Sequence, residues 1–210
     1  MRPSDEVVES LVVAARSGGD WAFGRLWELF SGPVAGYLRR RGVVDVDDVT
    51  SEVFLAAFQG LVGFEGDGRQ FRSWLFTIAH HRGVDAVRRQ VSAAATEYRE
   101  ADDTRQSHGA DHLVVERQLD PELVDALDAL PEAQREVVVL RLLAELSNDE
   151  VAAVTGRTPN TVKQQYGRGL VALRRSLGAR PEAVPLTHPD GPTAPVVVPL
   201  APAAPITQTR

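Results

Sequence analysis

The sequence predicts an all-α protein: two small helical domains joined by a flexible linker and followed by a Pro-rich disordered C-terminal tail. Three observations carry this. Apolar residues recur at three-and-four spacing through residues 1–91, from about position 5, and again through 119–178. Between them, residues 92–118 are polar, Ala-rich and acidic with no sustained apolar period, which reads as a linker. Beyond them, residues 179–210 hold eight prolines and little that can pack.

Each element follows from local signals. Asp20 is a good N-cap for a helix opening at Trp21, and Phe23, Leu26, Trp27, Phe30, Val34, Tyr37 and Leu38 form its apolar stripe. Ser31-Gly32-Pro33 interrupts that stripe and is expected to kink or split the helix. A second helix is expected from Asp47 to Gly60, and a third from Gln70 to Gln90, whose stripe changes side near Gly83. In the C-terminal domain Pro131 suits the first turn of a helix. Ser147-Asn148-Asp149-Glu150 has the form of a capping box, and Thr158-Pro159 repeats the pattern of cap then proline. A short helix, a turn at Gly156 and a longer helix make a helix-turn-helix, with Val162, Tyr166, Leu170, Leu173 and Leu177 as the buried stripe of the last element.

Composition narrows the chemistry. The 210 residues are 43% hydrophobic and 25% charged, as in soluble globular proteins. With no cysteine, disulfides, thiolate zinc sites and cysteine nucleophiles are excluded, and a reducing cytoplasm fits. No stretch approaches the ~18 apolar residues of a membrane span, and Met1 to Ser10 does not resemble a signal peptide. The net charge of −6 argues against a nucleic-acid partner until its distribution is read. Residues 92–130 carry ten acids and three bases, whereas 156–180 carry Arg157, Lys163, Arg168, Arg174, Arg175 and Arg180 and no acid. A weaker basic excess covers 61–91.

The basic island coincides with the last helix of the helix-turn-helix. Its outward residues Asn160, Thr161, Lys163, Gln164 and Gln165 suit base edges and phosphates in a major groove. The backbone amides near Thr158 favour a phosphate. The bland alternative is a helical hairpin with an ordinary solvated face.

The motifs then become specific. Leu130-Pro131-Glu132, Gln134-Arg135-Glu136-Val137, Leu140-Arg141, Leu146-Ser147, Glu150-Val151-Ala152, Gly156, Thr161-Val162-Lys163 and Ala172-Leu173-Arg174 resemble region 4 of the extracytoplasmic-function (ECF) subfamily of the sigma-70 family of RNA polymerase sigma factors. Asp47-Asp48-Val49, Glu52-Val53-Phe54, Phe71-Arg72-Ser73-Trp74-Leu75, Ile78-Ala79, Val84-Asp85 and Arg88-Arg89 resemble region 2 of the same family. The resemblance covers residues 20–178. It implies a factor that binds core RNA polymerase, directs it to promoters through −10 and −35 elements, and promotes melting. It assigns core-polymerase binding, on the β′ coiled coil, to Asp47, Asp48, Val49, Glu52, Val53 and Phe54. It assigns the −10 element to Arg72, Trp74, His81, Arg88 and Arg89, with the loop Gly63–Arg69 reading a flipped base. It assigns the −35 element to Arg141, Thr158, Asn160, Thr161, Lys163, Gln164, Gln165 and Arg168. The β flap of the polymerase and an anti-sigma factor are further implied partners; no cofactor or metal is implied.

The chain departs from the family pattern at His81, where an Asn is usual, at Gln165, where a second base is usual, and at Ser51, where region 2 usually has Gln. Gly167 and Gly169 are expected to weaken the recognition helix by ~1 kcal/mol each. Trp74 also reads as a core anchor. Two other function classes remain to be weighed. An enzyme would need a site, and the candidate ligand sets His80, His81, Asp85 and His108, Asp111, His112 lack a third ligand of matching spacing. A stand-alone helix-turn-helix regulator would use only residues 119–178.

Overall fold

The structure, a computed structural model, describes residues 4–97 and 120–178. The remainder of the expected linker and the Pro-rich tail 179–210 lie outside the described residues. The described residues form eight α-helices and one 3₁₀ turn, with no strand among them.

The N-terminal unit is a bundle of α1 (Asp5–Arg16), α2 (Asp20–Arg40), α3 (Val46–Gly60) and α4 (Gly68–Glu97), with the 3₁₀ turn Leu61–Gly63 between the last two. Ser4 caps α1 by accepting the amide of Val7, acids occupy its first turn, and Val8, Leu11, Val12 and Ala15 are buried at helical spacing. Helix α2 begins one residue earlier than expected, with Gly19 as N-cap, and runs through Ser31-Gly32-Pro33 unbroken. A mid-helix proline costs ~3 kcal/mol. Here Phe30, Val34, Tyr37 and Leu38 are buried on either side of Pro33, and that packing holds one axis through the defect. Asp67 opens α4 reciprocally with Gln70: the Gln70 amide donates to Asp67 Oδ1 at 2.7 Å and the Asp67 amide to Gln70 Oε1 at 2.9 Å. Helix α4 extends to Glu97, so the expected linker boundary at residue 92 falls inside a helix. Phe54, Phe71, Phe76, Leu26 and Leu75 fill the core.

The C-terminal unit consists of α5 (Pro121–Asp128), α6 (Glu132–Leu143), α7 (Asn148–Thr155) and α8 (Pro159–Ser176). Asp120 caps α5, and Pro131 stands as the N-cap residue of α6 rather than inside its first turn. The capping box at α7 forms as expected: Ser147 accepts from the Glu150 amide while Glu150 accepts from the Ser147 amide. Gly156 ends α7 at φ +67°, a left-handed conformation that a glycine adopts at no steric cost. Thr158 caps α8, with Pro159 in its first turn. Val162 and Leu173 are buried against α6 and α7, with Tyr166, Leu170 and Leu177 half-buried beside them.

The two units are docked rather than separate. Helix α2 lies against α6, and α4 lies against α7.

The two glycines of α8 have opposite roles. A Cβ on Gly167 meets nothing within 4 Å, whereas a Cβ on Gly169 stands 2.6 Å from Val138 Cγ2 of α6. Gly169 is therefore a close-packing residue, and its helix-propensity cost accompanies the approach of α8 to α6. Gly167→Ala is expected to stabilise the C-terminal unit by ~0.5–1 kcal/mol. Gly169→Ala is expected to destabilise it by ~1–3 kcal/mol through overpacking. Urea unfolding of the full chain followed by circular dichroism measures both, and equal shifts of the same sign refute the assignment.

Candidate nucleic-acid interface

Helix α8 presents a mostly polar outer face, interrupted by the exposed Val171. Asn160, Lys163, Gln164 and Arg168 are exposed on it, followed by Arg174 and Arg175, and no acid lies on the helix. Thr158 and Thr161 are committed to the helix start: Thr158 Oγ1 accepts the Thr161 amide at 3.2 Å and the two hydroxyls lie 2.8 Å apart. A rigid, capped helix with a one-sign outer face and an apolar inner face suits the major groove of a duplex. In the N-terminal unit α3 and α4 border an open groove lined by Glu52, Leu55, Gln59, Arg82, Asp85 and Arg88. His81, Arg88 and Arg89 are exposed along α4, and Arg89 lies 3.7 Å from Glu52 across the groove.

Residues 26–92 match the family described as Sigma-70 region 2, and residues 121–173 match Sigma-70, region 4. The ECF RNA polymerase sigma factor SigD of Mycobacterium tuberculosis is 30% identical over 190 residues, covering 85% of this chain and 88% of SigD. The chain belongs to the sigma-70 family, in its ECF branch. The ECF RNA polymerase sigma factor BldN of Streptomyces coelicolor is 34% identical over 172 residues; the match spans 80% of this chain and 64% of BldN. The solved structure of CnrH in complex with the cytosolic domain of CnrY superposes with a TM-score of 0.54 at 29% identity, covering 81% of this chain and 96% of CnrH. Both matched regions, region 2 and then region 4, are present here in order.

Within region 2 the structure sorts the residues that the motifs single out. Val49, Val53 and Phe54 are buried in the core, with Phe54 packed on Trp27 at 4.6 Å between ring centroids. They anchor α3, and its outward face is made by Asp47, Asp48, Glu52 and Leu55, the last 60% exposed. Arg72 is buried too: it pairs with Glu145 at 2.8 Å and Asp5 at 3.2 Å and stands over the Phe30 ring. Trp74 packs on Phe64 and Phe71, which supports its reading as a core anchor. In region 4, Arg141 is not on the outer face. Its guanidinium donates to the Leu146 carbonyl at 3.0 Å and stacks over Tyr166, which fixes the α6–α7 turn against α8. Arg141→Ala is expected to lower the stability of the C-terminal unit by ~1–3 kcal/mol, in contrast to Lys163→Ala at the exposed face, which is expected to leave stability within ~0.5 kcal/mol. Thermal unfolding of the two variants distinguishes these roles.

The candidate ligand set His80, His81, Asp85 does not converge: among the described residues no group of three potential ligands is placed to hold a metal ion. The set around His108 lies outside the described residues. No helix among the described residues is long and apolar enough to cross a membrane.

Sequence reasoning missed the cluster at the seam between the units. Glu136 of α6 is buried and pairs with Arg41 at the end of α2, with Arg157 at 2.6 Å and with His80 Nδ1 at 3.2 Å. The buried Tyr37 hydroxyl donates to the same carboxylate at 3.3 Å and lies 3.0 Å from His80 Nδ1. Burial alone raises the Glu136 carboxyl, but the His80 hydrogen bond and the charges of Arg41 and Arg157 outweigh it and bring it down to about 2. Burial pushes the Tyr37 phenol well above its ordinary value. Two further pairs cross the seam: Arg72 with Glu145, and Arg69, whose Nε and second nitrogen reach both oxygens of Glu150 at 2.9 and 3.3 Å. Glu136 follows Gln134 and Arg135 directly, so nothing local marks it as buried, and partners 95 and 56 positions away leave no local pattern.

A depressed carboxylate stabilises the folded, docked state above its unfolded pKa. That contribution is complete above about 4.5 and is lost as pH falls from 4.5 toward about 2. Its size is on the order of 3 kcal/mol. Glu136→Gln removes it, so the acid-induced fall in the unfolding midpoint between pH 5 and pH 3 should be shallower in the variant than in the parent. Identical pH profiles contradict the assignment.

Proposed function

We propose that this sigma factor binds core RNA polymerase, places α8 in the major groove of a −35 element, and engages the −10 element with α4 and the loop Gly63–Arg69. The exposed, acid-free polar face of α8 carries this reading, because it joins base-reading amides to phosphate-binding cations on one capped helix. Asn160 and Gln164 suit base edges; Lys163 and Arg168 suit phosphates. On α4, His81, Arg88 and Arg89 face outward for the displaced strand. The acids Asp47, Asp48 and Glu52, beside the exposed Leu55, fit a basic, partly apolar surface such as the β′ coiled coil. The β flap is the matching partner for the C-terminal unit, and an anti-sigma protein is the matching regulator; the similar CnrH forms a complex with the cytosolic domain of CnrY. The work is recognition without an enzymatic step, in the cytoplasm where the polymerase acts.

Transcription in vitro with core polymerase on a promoter library tests this directly. The chain alone is expected to give no specific gel shift on duplex DNA at physiological salt, and the holoenzyme is expected to give one. Specific binding by the chain alone, with no gain from core polymerase, would instead establish a stand-alone regulator; the region 2 match over residues 26–92 disfavours that reading. Asn160→Ala or Gln164→Ala is expected to cost ~1–3 kcal/mol and relax one −35 position. Lys163→Ala is expected to weaken binding on all sequences and to lower the salt slope by about 1.

A further inference from the structure

Helix α1 precedes the stretch that matches Sigma-70 region 2, which begins at residue 26. Its buried Val8, Leu11, Val12 and Ala15 seat it across α2 and α4, and it also touches the 3₁₀ turn Leu61–Gly63. Its first turn meets α4 backbone to backbone. A Cβ at Gly68, the first residue of α4, would lie 2.0 Å from the Asp5 carbonyl oxygen and 2.9 Å from the Glu9 amide nitrogen. No side chain fits between the two helix starts, and a glycine at position 68 is what lets them close. The Asp5 carboxylate adds a second tie, 3.2 Å from the buried Arg72 guanidinium one turn further along α4.

Gly68 belongs to the loop Gly63–Arg69, and the rest of that loop is fixed to α4 at short range. Phe64 turns inward onto Phe71 and Trp74. A Cβ on Gly66 would stand 2.8 Å from both the Phe64 ring and Gln70 Oε1, so the chain there is pressed against α4. Asp67 and Gln70 exchange hydrogen bonds across the helix start. With Phe64 and Gly68 buried, Val62, Gly63, Glu65 and Asp67 are left as an exposed rim. A rim tied in this way moves only as a unit with the start of α4, and α1 is the surface against which that start rests. A binding constellation has to be held to within about 0.5 Å of its productive geometry. A Cβ at position 68 would push the helix start off α1 by on the order of 1 Å before ordinary contact is restored.

We propose that α1 is part of the −10 reading apparatus. Through the contact of Asp5 with Gly68 it sets the height of the loop Gly63–Arg69, and Gly68 is a positioning residue for −10 selectivity that itself touches no DNA. This rests on the promoter-binding reading above. It gives α1 a role that lies outside both matched regions.

Gly68→Ala in the full chain tests this with two readouts. Hydrogen exchange needs no polymerase: amides of residues 61–67 should exchange about threefold to tenfold faster than in the parent, with those of α8 unchanged. Transcription by the holoenzyme on a library randomised over both promoter elements reads selectivity. Discrimination at one −10 position should fall about threefold to tenfold, with −35 preferences as in the parent. Gly24→Ala, on α2 where a Cβ meets nothing within 4 Å, should match the parent in both readouts. If Gly68→Ala does not fold, Asp5→Ala takes its place; it removes the tie to Arg72 at an exposed side chain and should act in the same directions with smaller amplitude. Lost output with an unchanged −10 profile is what general destabilisation gives, and it overturns the positioning role. Equal relaxation at −10 and −35 overturns it as well. A parent holoenzyme that does not transcribe refutes the promoter-binding reading; unchanged loop exchange in Gly68→Ala overturns the brace whether or not the parent transcribes.

Discussion

The carboxylate of Glu136 ties the structure together. It is buried at the junction of α2, α4, α6 and the α7–α8 turn, and Arg41, His80 and Arg157 each reach it from a different element. Arg157 is the residue just after Gly156, so the same carboxylate that joins the units also holds the turn of the helix-turn-helix. A buried charge is tolerated only when several partners meet it, and removing one partner strands the others. Glu136 therefore links the turn before α8 to the docking of the two regions, alongside the Arg72–Glu145 and Arg69–Glu150 pairs.

Each unit has its own apolar core, built from aromatic packing in region 2 and from Leu and Val contacts in region 4. The seam between them combines ion pairs with apolar contact, as where Leu143 approaches Gly36.

The local signals in the sequence were strong where the physics is local. Ser147 and Glu150 close a capping box within four residues, Thr158-Pro159 starts α8, and Gly156 ends α7; each depends on backbone geometry that near neighbours dictate. Local reasoning fell short where distant packing decides. Pro33 does not break α2 because buried residues on both sides hold the axis. Gly169 reads as a weak helix residue, and only its approach to Val138 shows why a side chain does not fit.

The sequence by itself determined the all-helical class, the order of the two conserved regions and the polar outer face of α8, because helical periodicity, capping and motif order are written within short stretches of chain. Tertiary structure alone decided which of the singled-out residues face outward. It turned Val49, Val53 and Phe54 into core, made Arg141 and Arg72 internal braces, and left Asp47, Asp48, Lys163 and Gln164 at the surface. It also brought Glu136 to Arg41 across 95 positions. The reason is physical: periodicity says that a helix has two faces, but the identity of what covers each face depends on elements far away in the chain.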